Sequence, residues 1–411
     1  MITGLLGGKR AGGHIPGKLR QCGDACGQDA TMTVWSPGGR RTSSRNAIGC
    51  ARMRPADNEQ RSKTLKVMDF RRLARRLARR FGPPHLALAL QGGGSHGAFT
   101  WGVLDRLLEA GMPLAGVSGA SAGAMNGAAL VAGLVRGGPT GARRTLEDLW
   151  RTVAEQSLAG PLQSTPLEHL LHGWNRDYSP GIQLLKGITR VASPYQLNPT
   201  GHNPLRAVLE AVIDFDALRH ASACPLFISL TNVRSGRMAL HRNRQIGVDS
   251  LLASACLPLL FQAVRVDGEH YWDGGYTGNP ALSPLLLECA ATDVLLIQLT
   301  PEEHDRVPTQ VPEIMERIND LTFHASLVRE LQLLASLQRA GRLRGMAGIR
   351  FHQVKSEDDT RGMGADSRIN AAWSFICHLR DRGRERAGQW LDEERSPGGN
   401  TRRLRLEDYL P

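Results

Sequence analysis

Four segments of this chain are apolar at nearly every position and too short to be helices. They are "HLALALQ" (85–91), "PLAGVS" (113–118), "PLFISLTNV" (225–233) and "DVLLIQLT" (293–300). A strand that is apolar on both sides needs cover on both sides. A weaker fifth segment is "IRFHQVK" (349–355). Between them lie helical periodicities near 98–110, 122–135, 203–213, 248–257, 310–340 and 368–394. Strands alternating with helices in this way predict a three-layer αβα architecture around a mostly parallel central sheet. "GRMALHR" and "AVRVDGEHYWDGG" read as shorter, partly antiparallel pieces, and 151–200 is patterned weakly enough to be a cap or lid. No internal repeat is present.

The charge of +12 is concentrated at one end. Residues 1–80 hold 18 Lys/Arg against 5 Asp/Glu, which leaves 33 basic and 34 acidic residues for the remainder. The folded part is therefore near neutral. That argues against a nucleic-acid-binding domain, whose basic face belongs to the fold itself. Residues 1–66 are rich in Gly, Ser, Arg and Pro and are expected to form a disordered basic tail; Met53 and Met68 are further candidate starts. Residues 67–84, "VMDFRRLARRLARRFGPP", place Phe70, Leu73, Leu77 and Phe81 at helical spacing among arginines. Such a basic amphipathic helix suits an anionic membrane surface, and equally a solvated helix packed on the domain. Residues 85–395 are read as one α/β domain including its C-terminal helices, and 396–411 as a C-terminal tail. Seven scattered cysteines fit a reducing compartment. No apolar run reaches the roughly 18 residues of a membrane span, so a cytoplasmic protein, peripheral at most to a membrane, is expected.

The loop after the first strand is spelled Gly92-x-Gly94-x-x-Gly97, as in a dinucleotide-binding turn. Such a turn needs an acidic residue about 20 positions on, at the end of the second strand, to hold a ribose. This second strand ends instead in Gly119-Ala120-Ser121-Ala122-Gly123. A Gly-x-Ser-x-Gly between a buried strand and a small-residue helix is the setting of a nucleophile elbow. The helix N-terminus also favours negative charge beside Ser121. Gly92, Gly93 and Gly94 can then turn backbone N–H groups toward one point, as an oxyanion hole requires; a tight βα turn is the alternative. The serine needs a proton acceptor. His202, His220, His241, His270, His304, His324, His352 and His378 lie downstream, none in a loop suited to presenting an imidazole. Asp273, before Gly274-Gly275, could approach the serine directly or simply cap a turn; spacing alone leaves both open.

Taken in order, Gly-Gly-Gly-x-x-Gly, Gly-x-Ser-x-Gly and Asp-Gly-Gly resemble the patatin-like phospholipase family, over roughly residues 85–300. The resemblance implies that Ser121 is the nucleophile and Asp273 the base of a Ser–Asp dyad. It implies that Gly92, Gly93 and Gly94 form the oxyanion hole, with Gly97 closing the loop, and that no metal or other cofactor takes part. The expected substrate is a lipid or acyl ester. The alternatives are another acyl ester or thioester, transacylation, or a non-catalytic lipid-binding module. Two departures stand out. Gln91 occupies a position often acidic in the family. His96, only partly charged near neutral pH, stands where Arg or Lys is common and is thought to help with a substrate phosphate. "LLASACLPLLF" (251–261) is expected to line the cleft. Leu327, Leu331, Leu334 and Leu337 form either a core-packing face or an acyl groove.

Overall fold

The computed structural model describes residues 85–157, 174, 180–303, 307–342, 348–361, 363–395 and 403–410. The expected tail (1–66), the basic helix (67–84), residues 158–173 and 175–179 of the expected cap, and residues 396–402 lie outside the described residues. Eight strands form one sheet: β1 (Leu86–Leu90), β2 (Leu114–Gly119), β3 (Leu226–Asn232), β4 (Met238–Arg242), β5 (Val264–Val266), β6 (Glu269–Asp273), β7 (Asp293–Gln298) and β8 (Arg350–Lys355). The principal helices are α1 (Gly97–Glu109), α2 (Ala122–Ser157), α3 (Pro180–Val191), α4 (Leu205–Val212), α5 (Phe215–His220), α6 (Val248–Ser254), α7 (Ser283–Glu288), α8 (Val311–Arg339) and α9 (Trp373–Arg395). A break at Gly137 and Gly138 divides α2.

The sheet is mixed: a parallel run of five strands, with the short antiparallel pieces at the positions their sequence suggests. β3, β2, β1, β7 and β8 are parallel in that order, but β3–β4, β3–β6 and β5–β6 pair antiparallel. Connection length explains the difference. Parallel neighbours need a crossover of a dozen residues or more, whereas short links make hairpins. β5 and β6 are joined by Asp267-Gly268 alone, both at positive φ (48° and 86°), the backbone of a tight hairpin turn.

The unbroken apolar strands do face cover on both sides. Along β1, Leu86, Leu88 and Leu90 enter one core cluster with Phe99, Leu130 and Phe375 from α1, α2 and α9. Ala87 and Ala89 enter the other, with Leu285 of α7 and Leu327 and Leu331 of α8. The leucine face of α8 is therefore core at Leu327, Leu331 and Leu334, and Leu337 is half-buried. The C-terminal helix α9 is integral to the first layer. It crosses α1 so closely that a Cβ on Gly383 would collide with the Phe99 carbonyl. Arg384 of α9 also pairs with Asp105 of α1. Residues 403–410 bridge His352 through Arg403 and bury Leu404 and Leu406.

Candidate active site

The register of the sheet places the two candidate catalytic side chains. β2 and β4 both pair with Phe227 and Ile228, so they occupy opposite edges of β3. β4 and β6 both pair with Leu230 and Thr231, so they too are on opposite edges. β2 and β6 therefore share one edge of β3 and run toward each other. Gly119, the last residue of β2, pairs with Ile228, and Asp273, the last of β6, pairs with Leu230. Two residues of strand separate those levels by only about 7 Å. Ser121 lies in that junction, where the chain leaves the sheet for α2.

Among the described residues Ser121 is one of two non-glycine residues with positive φ, at 53°. That conformation costs a β-carbon-bearing residue roughly 1–2 kcal/mol and is held by its surroundings. The Ser121 N–H donates to Ser254 Oγ at 3.0 Å, and Ser254 Oγ donates to the Ser229 carbonyl of β3 at 2.8 Å. Gly119 precedes the turn and Gly123 lies in the first turn of α2. There a Cβ on Gly123 would strike the Leu90 carbonyl at the end of β1. The serine is half-buried.

Asp273 is fully buried. Its Oδ1 accepts the Gly275 N–H at 2.8 Å, its backbone N–H donates to Cys256 O at 2.9 Å, and its carbonyl accepts Thr231 Oγ1 at 2.8 Å. Gly274 and Gly275 form the one-turn 3-10 helix that Asp273 caps. The turn-capping reading holds: Oδ1 caps the turn, and Oδ2 has no regular hydrogen bond among the described residues. Desolvation pushes the carboxyl up to about 7; hydrogen bonds from the Gly275 amide and the Ser121 side chain oppose the rise. The stretch 251–261 touches both groups, through Ser254 to Ser121 and through Cys256 to Asp273.

The glycine loop lies over the same junction. A Cβ on Gly92 would come within 2.8 Å of the Ser121 Cβ. Gly94 turns the chain at φ 59° into a one-turn 3-10 helix, and Gly97 opens α1. Asn126 of α2, fully buried, donates to Gly97 O at 3.0 Å and accepts Trp150 Nε1 at 3.0 Å, tying the loop's helix to the serine's helix. The three loop amides are not equivalent. Gly92 N–H donates to Asn279 Oδ1 at 2.7 Å, whereas Gly93 and Gly94 N–H have no acceptor among the described residues.

The two departures also find physical explanations. Gln91 Oε1 accepts the Leu299 and Thr300 N–H groups at 2.7 and 2.8 Å, capping the end of β7. His96 is buried, with Nε2 2.8 Å from Ser367 Oγ. Burial, and then the positive charge of Arg368, lower its pKa to about 3. It is neutral at physiological pH, not partly charged. Other downstream histidines have structural partners: His241 bonds Ser250, His220 the Asp216 carbonyl, and His352 Asp293.

Ser254, Asn279 and Asn126 were not found from sequence. Polar residues in buried, small-residue stretches were the available signal, and such residues pack structurally just as often.

A serine on a strained strand-to-helix turn thus lies near a buried carboxylate and under a glycine loop in an α/β domain. A family model described as Patatin-like phospholipase matches residues 88–286, and over this segment the chain belongs to that family. Lysophospholipase NTE1 from each of two strains of Cryptococcus neoformans var. neoformans serotype D is 27% identical over 237 residues. The match covers 56% of this chain but only 12% of the relatives' length. Among solved structures, VipD from Legionella pneumophila is similar with TM-score 0.37 and 15% identity, over 75% of this chain and 67% of that one. The type III effector protein ExoU is similar with TM-score 0.23 and 17% identity, over 73% and 54%.

Proposed function

We propose that this protein is a lipid acyl hydrolase, of phospholipase A or lysophospholipase type, working through Ser121 and Asp273. The observation that carries the reading is the head-on approach of β2 and β6 along one edge of β3. It supports the reading because β2 ends two residues before the strained serine and about two strand residues from the level of the buried carboxylate. Asp273 accepts the Ser121 proton as the hydroxyl attacks the ester carbonyl. The tetrahedral oxyanion forms against the Gly93 and Gly94 amides, the donors without an acceptor among the described residues. The alcohol leaves with the proton. Water, deprotonated by the same carboxylate, then releases the fatty acid and the free serine. A carboxyl near 7 suits this role, since a base works best with a pKa near the working pH.

The neutrality of His96 favours a second reading of substrate range. With no cation at that position, the loop supplies no charge for a phosphate, and the ester could be a non-phospholipid one. A panel of phospholipids, lysophospholipids and neutral esters distinguishes the two. A fluorophosphonate followed by peptide mapping tests both, because the label is expected on Ser121. A folded protein that takes no label would refute the hydrolase reading in favour of a lipid-binding module.

A lipid substrate must reach the site from an aggregate. The first turns of α8 carry Val311, Ile314, Met315, Ile318 and Leu321, each 39–66% exposed, at helical spacing on one face. Just beyond them Phe323 packs on Tyr276, with ring centroids 4.7 Å apart, beside the Asp273 turn. Contiguous exposed apolar surface of this kind marks an interaction site. The double substitution Met315→Glu, Ile318→Glu is therefore expected to slow hydrolysis of vesicle lipid by about tenfold or more, given the cost of desolvating charge. Cleavage of a soluble short-chain ester should be unchanged; equal loss on both substrates would count against this surface. In a liposome flotation assay, deleting 67–84 should lower binding only to anionic vesicles if that segment is the proposed electrostatic arm.

Among the described residues no helix is long and apolar enough to cross a membrane.

A further inference from the structure

The buried amide of Asn279 touches the glycine loop, α8 and the turn after Asp273, yet none of the three motifs includes it. Its Oδ1 accepts Gly92 N–H at 2.7 Å, its Nδ2 donates to Phe323 O at 3.2 Å, and its backbone N–H donates to Ser326 Oγ at 3.2 Å. Asn279 is fully buried. Phe323, which receives one of these bonds, also packs on Tyr276 and fills the space a Cβ on Gly275 would need. One side chain therefore joins the oxyanion loop to the helix turn that backs the Asp273 turn.

We propose that Asn279 is a positioning residue: by holding Gly92 N–H it fixes the loop so that the Gly93 and Gly94 amides, not Gly92, serve as the oxyanion donors. The inference rests on the assignment of Ser121 as nucleophile. The choice of residue follows from chemistry. The position needs an acceptor for Gly92 and a donor for Phe323, with no charge. A carboxylate supplies only the acceptor and would add a second buried negative charge near Asp273. An alkyl side chain would leave the Gly92 N–H buried and unpaired, which is costly. The loop would then relax toward another acceptor, and Gly93 and Gly94 would turn with it.

The test is Asn279→Ala, assayed on a soluble p-nitrophenyl ester, with active sites counted by fluorophosphonate titration. Losing alignment of an oxyanion donor costs about 10²-fold in kcat, so kcat per titrated site should fall by about that factor, with KM little changed. The affinity of an alkyl boronic acid, which forms an anionic tetrahedral adduct with the serine, should fall in parallel with kcat/KM. Affinity for the product fatty acid should not. A merely structural role would lower the number of titratable sites and leave kcat per site unchanged; that result overturns the proposal. Should Asn279→Ala fail to fold, Ser326→Ala removes only the outer anchor and is expected to give a smaller fall in kcat per site. An unchanged kcat there overturns the proposal equally. Loss of labelling in the wild-type protein would instead strike at Ser121, so the two failures are distinguishable.

Discussion

Ser121→Ala is expected to lower lipid-ester hydrolysis by about 10⁴-fold or more, the range seen when a serine nucleophile is removed from a hydrolase. The fold should survive. The substitution deletes only the hydroxyl, and the backbone bond that holds the turn, Ser121 N–H to Ser254 Oγ, remains. The strained φ of 53° also remains, so the melting temperature should stay close to wild type. Residual turnover would come from the Gly93 and Gly94 donors acting on a water molecule. Purified variant and wild type compared on one lipid substrate, with circular dichroism to confirm folding, give the result. Turnover retained within tenfold in a folded Ser121→Ala protein would remove the nucleophile from the mechanism.

The features legible in the sequence were those repeated along the chain or fixed by local backbone geometry. Unbroken apolar strands announced cover on both faces, and Leu88 and Ala89 do enter opposite core clusters. Gly119-x-Ser121-x-Gly123 announced a strained turn because close backbone approach at Gly123 leaves no other choice. The features that escaped depend on long-range contact. Asn279 and Gly92 are separated by 187 residues, and nothing local to either marks the bond. His96 reads as a half-charged imidazole because its sequence neighbours are small. Its neutrality comes from burial beside Ser367 and Arg368, 271 and more residues away. The antiparallel half of the sheet was legible only as fragments. Direction depends on which edge of β3 each strand takes, and edge choice is a tertiary property.

Asp273→Asn is expected to abolish activity and, above neutral pH, to stabilise the protein. Burial raises the Asp273 carboxyl from its ordinary 3.8 to about 7, so the folded state holds its proton more tightly than the unfolded chain. Between pH 4 and 7 the folded protein carries a proton that the unfolded one has lost. Stability from this group therefore falls as pH rises through that window. The penalty is fully present above pH 7, and three pH units correspond to about 4 kcal/mol. An asparagine carries no charge to desolvate, while its side-chain oxygen can still accept the Gly275 N–H. The variant should melt higher than wild type at pH 8, and the difference should close as pH falls toward 4. Activity runs the opposite way. Wild-type turnover should rise across pH 7 as Asp273 becomes the free base, whereas the variant stays inactive throughout. The ionised carboxylate is thus least stable in the range where it is catalytically competent, as expected of a base held by its surroundings and not by a counter-ion. Melting curves of the two proteins that run parallel from pH 4 to 8 would mean that Asp273 ionises normally and that another group takes the serine's proton.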